Sequence, residues 1–255
     1  MTARLELIPL ESFPLVQPGD DLAQLITDAL TGNELTLQPG DVLVIAQKIV
    51  SKSEGRYVRL ADVTASPEAV ALAKKADKDP RQVELILRES NEVIRVRPGV
   101  IIVEHRNGYV HANAGIDKSN IANDVDDPQV LLLPEDPDKS AQALRRALGR
   151  HSGVAPQIII NDSMGRAWRN GTIGLAIGSA GLAPLHNQIG EHDMFGNVLE
   201  VTEPAVADEL AAAASLVMGQ AAQACPVVLA RGAALAPAEA DSRALLRDKS
   251  LDMFR

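Results

Sequence analysis

Apolar residues along this 255-residue chain fall into short runs with two spacings. Leu5–Leu10 predicts a first strand, and Pro14, Pro18 and Gly19 then mark a loop. Leu22, Leu25, Ile26 and Leu30 recur at helical spacing behind Asp20 and Asp21, either of which can cap the helix. After the turn Pro39-Gly40-Asp41, the run Val42-Leu43-Val44-Ile45-Ala46 predicts a strand buried on both faces. Pro67–Lys75 and Pro80–Glu89 predict two helices, with Pro80 suited to a first helical position. Val93–Val96 and Val100–Glu104 predict strands, and Asn107-Gly108 a hairpin turn into a strand at Tyr109–Ala112. A helix is expected near Ser140–Leu148 and a strand at Gln157–Ile160. Next come an apolar stretch, Gly171–Leu182, an alanine-rich helix from Pro204 to Met218 and a last strand at Pro226–Ala230. Hairpin signals beside helices favour an α+β fold over a doubly wound sheet. No internal repeat is present, and residues 233–255 form a polar tail expected to be mobile.

Composition narrows the function classes. Roughly 70 % of the unfolded surface is buried by a chain of this length, which is enough for a core without staples. The single cysteine, Cys225, excludes a disulfide framework and a cysteine-based zinc site. It is expected to be buried and inert. A net charge of −9 argues against nucleic acid or an anionic membrane as partner. Aromatic residues are only 2 %, so the core must be Leu, Ile, Val and Ala, and a base-stacking surface is not expected. With no signal-peptide pattern and no apolar run of membrane-spanning length, the expected compartment is the cytoplasm.

Four segments can carry chemistry. Asn113-Ala-Gly-Ile-Asp117-Lys-Ser-Asn120 follows a strand with little periodicity of its own. Ile158-Ile-Ile-Asn161-Asp162-Ser163-Met-Gly165-Arg166 sets a carboxylate and a hydroxyl at the expected end of a buried strand, where Gly165 lets the chain turn. Should Asp117 and Asp162 converge, repulsion raises one pKa unless a cation lies between them, and such hard oxygens suit Mg²⁺ or Mn²⁺. Taken singly, each aspartate can equally cap a turn. The third segment, Gln47 to Arg56, carries Lys48, Lys52 and Arg56: phosphate partners, or a solvated loop. The fourth, Met218-Gly219-Gln220 to Cys225, is a helix end or a place where backbone approaches a ligand. Gly174, Gly178 and Gly181 lack dinucleotide-fingerprint spacing and point to close backbone packing. The histidines, among them His105 and His111, show no metal-type spacing and are expected to be structural or on the surface.

Together these segments resemble the coenzyme F420-0:L-glutamate ligase family, the CofE-like gamma-glutamyl ligases. The carrying motifs are Phe13-Pro14-Leu15-Val16 before Pro-Gly-Asp-Asp-Leu, Val50-Ser51-Lys52-Ser-Glu54-Gly55-Arg56 and Asn113 to Asn120. They continue with Leu131-Leu-Leu-Pro134 before Asp136-Pro-Asp138, Asn161 to Arg166, and Val217-Met218-Gly219. The resemblance spans about residues 5–232. It implies a single unit of two intertwined α+β subdomains with mixed and antiparallel sheets, forming a homodimer. The implied activity is GTP-dependent addition of L-glutamate to the lactyl carboxylate of F420-0, followed by gamma-linked extension. The implied cofactors are two divalent ions, Mg²⁺ or Mn²⁺, with K⁺ as a further candidate. Asp117, Asp162, Ser163 and Gln220 would ligate metal, and Asp117, Asp162 and Lys52 would serve the chemistry. GTP would contact Phe13, Pro14, Leu15, Val16, Gln47, Lys48, Lys52, Asn120 and the turn Met218, Gly219, Gln220, Ala221, Ala222, Gln223, Ala224, Cys225. The chain departs from the family pattern at Ser163 (threonine there), at Gln220 (glutamate) and at Gln47-Lys48 (small hydroxyl residues). The competing classes are a CofE-like ligase for another amine and carboxylate, a non-catalytic GTP-binding module, and a phosphatase with water as acceptor.

Overall fold

The computed structural model of the chain describes residues 4–122 and 126–253. The strands are β1 (Glu6–Pro9), β2 (Val42–Ala46), β3 (Tyr57–Arg59), β4 (Ser90–Arg97), β5 (Val100–His105), β6 (Val110–Ala112), β7 (Gln129–Leu131), β8 (Gln157–Arg166), β9 (Arg169–Ala180) and β10 (Val227–Arg231). The helices are α1 (Leu22–Gly32), α2 (Gln47–Ser53), α3 (Pro67–Ala76), α4 (Pro80–Arg88), α5 (Pro137–Ser152) and α6 (Val206–Met218). The α+β expectation holds. A five-stranded sheet in the order β1-β10-β2-β8-β9 is accompanied by a two-stranded β3-β7 pair and a three-stranded β4-β5-β6 sheet. Among the described residues, every strand pairing is antiparallel except that of β2 with β8.

The period of two in a strand explains the continuous apolar runs. Leu43 and Ile45 of β2 and Ile158 and Ile160 of β8 join one core cluster with α1 and α5. Val42, Val44 and Ile159 point the other way, into a cluster with α6. The glycine-bearing run falls mostly in β9, where Gly174 and Gly178 serve packing. A Cβ on Gly178 would lie 2.6 Å from the carbonyl of Pro137, and one on Gly174 would strike Ser215 and the Ala211 carbonyl of α6.

Between α2 and α5 the chain leaves the central sheet. There α3 and α4 pack on the β4-β5-β6 sheet through Ala69, Ala73, Val83, Ile86, Ile101 and Val103. Arg56 and Glu89 tie this segment down. Nε of Arg56 donates to the Leu133 carbonyl at 2.9 Å, and Nη2 lies 3.1 Å from Glu89 Oε2. Burial pushes the Glu89 carboxyl up, but His105, Arg106 and Arg56 outweigh it and hold the pKa below the ordinary value.

Several boundaries differ from the sequence expectation. α5 starts at Pro137, three residues before Ser140, because the Asp136 side chain caps it through the Lys139 N–H and proline fits the first turn. The segment after β2 is not a loop: α2 begins directly at Gln47. β3 and β7 have three residues each, too few to display a period. Beyond Ala233, Leu235 and Leu245 lie against the α6 cluster. Ser242 is buried there, and its N–H and Oγ donate to Asp138 at 2.9 and 3.0 Å.

Arg56→Met leaves Glu89 with less counter-charge and the Leu133 carbonyl unmet. Urea denaturation should show a loss of about 3 kcal/mol, the lower end for breaking a buried pair. The Glu89 contribution to stability is present above its unfolded value, taken as 4.5, and is lost as pH falls through its lower folded value. Glu89→Gln should therefore lose stability less steeply than the wild type as pH drops below 4.5.

Candidate active site

Parallel pairing sets Ala46 of β2 beside Asn161 of β8. Beyond that point α2 takes over from β2, while β8 runs on into its hairpin with β9. Gln47 and Lys48 are thus brought next to Asp162 and Ser163. A β-bulge adjoins this point: Ile160 pairs with Gly178 but Asn161 with Ala176, leaving Ile177 as the extra residue. Bulges re-aim side chains and are common beside sites. Asn161 Nδ2 donates to Ser215 Oγ at 2.9 Å, tying β8 to the last turns of α6, from which Met218 to Cys225 departs.

Asp117 arrives from the segment that follows β6. Asn113, Ala114 and Gly115 have φ of 51°, 54° and 67°, three successive left-handed residues. Each non-glycine there costs about 1–3 kcal/mol. The run is held by Asn113 Oδ1, which accepts from the Ile101 N–H at 3.1 Å. At Gly115 a Cβ would lie 2.5 Å from Leu133 Cδ1. Asp117 then exchanges both backbone hydrogen bonds with Leu131, at 2.9 and 3.0 Å, which fixes its Cα.

The side chains meet across this junction. Asp117 Oδ2 accepts from Gln47 Nε2 at 2.7 Å and lies 2.8 Å from Lys48 Nζ. Asp162 Oδ2 lies 2.9 Å from His111 Nε2, and its Oδ1 accepts from the Ser163 N–H at 2.8 Å. His111 Nδ1 faces the Ala112 carbonyl at 2.9 Å. Burial raises the Asp117 pKa; Lys48 opposes this and Asp162 adds to it. Burial pushes the His111 imidazole down, but the Asp162 carboxylate overrides it and the pKa ends above the ordinary value. Burial and then Lys48 lower the Lys52 pKa, and Lys52 Nζ donates to the Asn120 carbonyl at 2.7 Å.

A cavity of about 560 Å³ opens over this cluster. Its wall contains Phe13, Pro14, Leu15, Val16, Gln47, Lys48, Lys52, Asn120, Asp162, Ser163, Met218, Gly219, Gln220, Ala221, Ala222, Ala224 and Cys225. Two residues singled out from sequence do not line it. Asp117 lies under Lys48 and Gln47, and the Gln223 side chain turns back to accept from the Ala221 N–H at 2.8 Å. Gly219, with φ 70°, both follows the helix end and borders the cavity.

Three expectations are corrected. Asp162 is not at a strand end, because β8 continues to Arg166 as the first arm of a hairpin, and the turn falls at Ala167-Trp168, with Trp168 at φ 64°, rather than at Gly165. Cys225 is half-buried in the cavity wall instead of enclosed, since β10 starts only at Val227. His111 sits at the site, not merely in the framework. No spacing in the sequence signals it, because its partner is 51 residues away. Tyr57 and Ile121 also line the cavity without having been singled out.

The donor set suits a hard divalent cation. Asp117 and Asp162 offer carboxylates close enough for one to raise the pKa of the other. Ser163 and Gln220 add a hydroxyl and an amide oxygen at the cavity wall. All four are oxygen donors, which fits Mg²⁺ or Mn²⁺ and not a soft metal.

Comparison with known proteins agrees in one direction. The sequence profile of the family described as F420-0:gamma-glutamyl ligase matches residues 11–232. A coenzyme F420:L-glutamate ligase of Methanothermobacter thermautotrophicus is 48 % identical over 253 residues, covering 98 % of this chain and 99 % of that protein. A protein of the same name from Methanopyrus kandleri is 45 % identical over 260 residues, covering 100 % and 98 %. Another, from Archaeoglobus fulgidus, is 39 % identical over 252 residues, covering 99 % and 97 %. On these matches, which run nearly end to end, the chain belongs to the F420-0:gamma-glutamyl ligase family and is a ligase.

Proposed function

We propose that the enzyme joins the amine of L-glutamate to the lactyl carboxylate of F420-0 at the expense of GTP, then extends the product through gamma-linkages. The observation that carries this reading is the cavity of about 560 Å³, within the usual range for small-ligand sites, whose lining includes Lys48 and Lys52 beside Asp162, Ser163 and Gln220. A carboxylate is a poor electrophile. Transfer of the GTP γ-phosphoryl group to a carboxylate oxygen gives an acyl phosphate and GDP. The neutral glutamate amine then attacks the acyl carbon, phosphate leaves with the bonding pair, and the proton lost from nitrogen ends on the phosphate as the amide forms.

Phosphoryl transfer needs alignment and charge neutralisation more than a protein nucleophile. Lys52, already disfavoured as a cation by burial and by Lys48, gains from an anion placed beside it. Lys48 stands between Asp117 and the cavity and can exchange one negative partner for another. The apolar part of the wall, with Phe13, Val16 and Met218, would displace water from an acyl phosphate held against it. Asp117, Asp162, Ser163 and Gln220 would hold Mg²⁺ or Mn²⁺, and a bound ion would neutralise and polarise phosphate oxygens. K⁺ remains a proposed further cation, and a homodimer the proposed assembly.

Mass spectrometry of the enzyme with F420-0, L-glutamate, GTP and Mg²⁺ or Mn²⁺ should give products spaced by one glutamyl unit, with GDP formed in step. GDP without a new amide would assign a different amine and carboxylate; neither product would favour a binding module. Phosphate release with no amine present would mark a phosphatase. Asp117→Asn and Asp162→Asn should each lower kcat by at least about 100-fold while the circular dichroism spectrum shows the fold retained; near-normal turnover in both would remove these residues from the chemistry. GTP should also slow alkylation of Cys225 by iodoacetamide, because the only cysteine borders the cavity. An unaltered labelling rate at saturating GTP would place the nucleotide elsewhere.

A further inference from the structure

We propose that His111 is a positioning residue that holds the Asp162 carboxylate in the orientation in which it receives a divalent cation. This rests on the metal reading given above, and the test separates the two. His111 reaches Asp162 from β6 with its side chain only 9 % exposed, and Nε2 lies 2.9 Å from Oδ2. The other carboxylate oxygen is held by the Ser163 N–H at 2.8 Å. Each oxygen therefore has one hydrogen-bond donor and keeps a second lone pair free. Two bonds at two oxygens fix the carboxylate plane, which a single bond would leave free to rotate.

The ring is fixed in its turn. Nδ1 faces the Ala112 carbonyl at 2.9 Å, so the imidazole is bonded at both ends to groups that only accept. His111 Nε2 is bonded to Asp162, and the residue is not part of the cavity lining, so its effect on a bound cation would pass through Asp162. It also comes from the segment between α2 and α5, whereas Asp162 belongs to the central sheet. The orientation of the ligand therefore depends on the docking of that segment. Donors behind a metal ligand commonly set its geometry, and their loss costs about 10–100-fold in metal affinity.

The test compares two variants that fill the same space. His111→Gln keeps an N–H near the position of Nε2, and His111→Met keeps bulk without a donor. Mn²⁺ binding is read from the electron paramagnetic resonance signal of the free ion, in the absence of nucleotide and turnover. The expected result is Mn²⁺ binding weakened by about 10–100-fold in His111→Met and nearly restored in His111→Gln, with similar thermal midpoints. Wild-type binding in the Met variant, or equal weakening in both variants with a common fall in thermal midpoint, would overturn the proposal. Absence of Mn²⁺ binding by the wild type would remove the metal reading and the proposal with it. Should the Met variant not fold, the wild type labelled with ¹⁵N-histidine decides. Bound Mn²⁺ should broaden the ring signals missing from His111→Gln, and sharp signals beside bound Mn²⁺ would overturn the assignment.

Discussion

The parallel pairing of β2 with β8 is the constraint on which the site depends. Parallel neighbours cannot be joined by a tight turn, so the chain must make a long excursion between them. Here the excursion includes α2, the small sheets, α3, α4 and α5. Both faces of the pair are buried, one against α1 and α5 and the other against α6. A slip of one residue would turn every side chain to the wrong face, so the register is firmly held. That register sets Ala46 beside Asn161, and the residues that follow them are Gln47 and Lys48 of α2 and Asp162 and Ser163 of β8.

The second requirement is electrostatic. Two carboxylates taken out of water near one another need counter-charge or a proton. Asp117 finds Lys48 and Gln47 on the far side of the junction, and Asp162 finds His111. The His111–Asp162 contact joins the central sheet to the excursion that leaves it, so this part of the site forms as the two dock. Left-handed backbone at Asn113 and Ala114 is tolerated because the Ile101 hydrogen bond, the packing of Leu133 on Gly115 and the Asp117–Leu131 pairing over-determine it.

Much of this was legible in the chain. The apolar run Val42–Ala46 is a strand with those same bounds, and the Asn107-Gly108 turn does join β5 to β6. The alanine-rich helix ends at Met218, followed by a positive-φ glycine. What failed had physical causes. α2 shows no loop signal and no long period, because it is seven residues filling the space directly after a strand. The β8–β9 hairpin outruns its apolar stretch because its outer half needs no core face.

The sequence by itself determined which stretches are apolar on one face or two, where helices can begin, and which oxygen and lysine side chains stand in segments of low periodicity. These follow from local propensity and period, which act over a few residues. Only the tertiary structure decided that Asp117 and Asp162 converge, that Lys48 pairs with Asp117, and that His111 stands behind Asp162. Those pairs stand 45, 69 and 51 positions apart in the sequence, and nothing in local propensity specifies them. They are set by the register of a buried sheet and by the requirement that charge removed from water be matched.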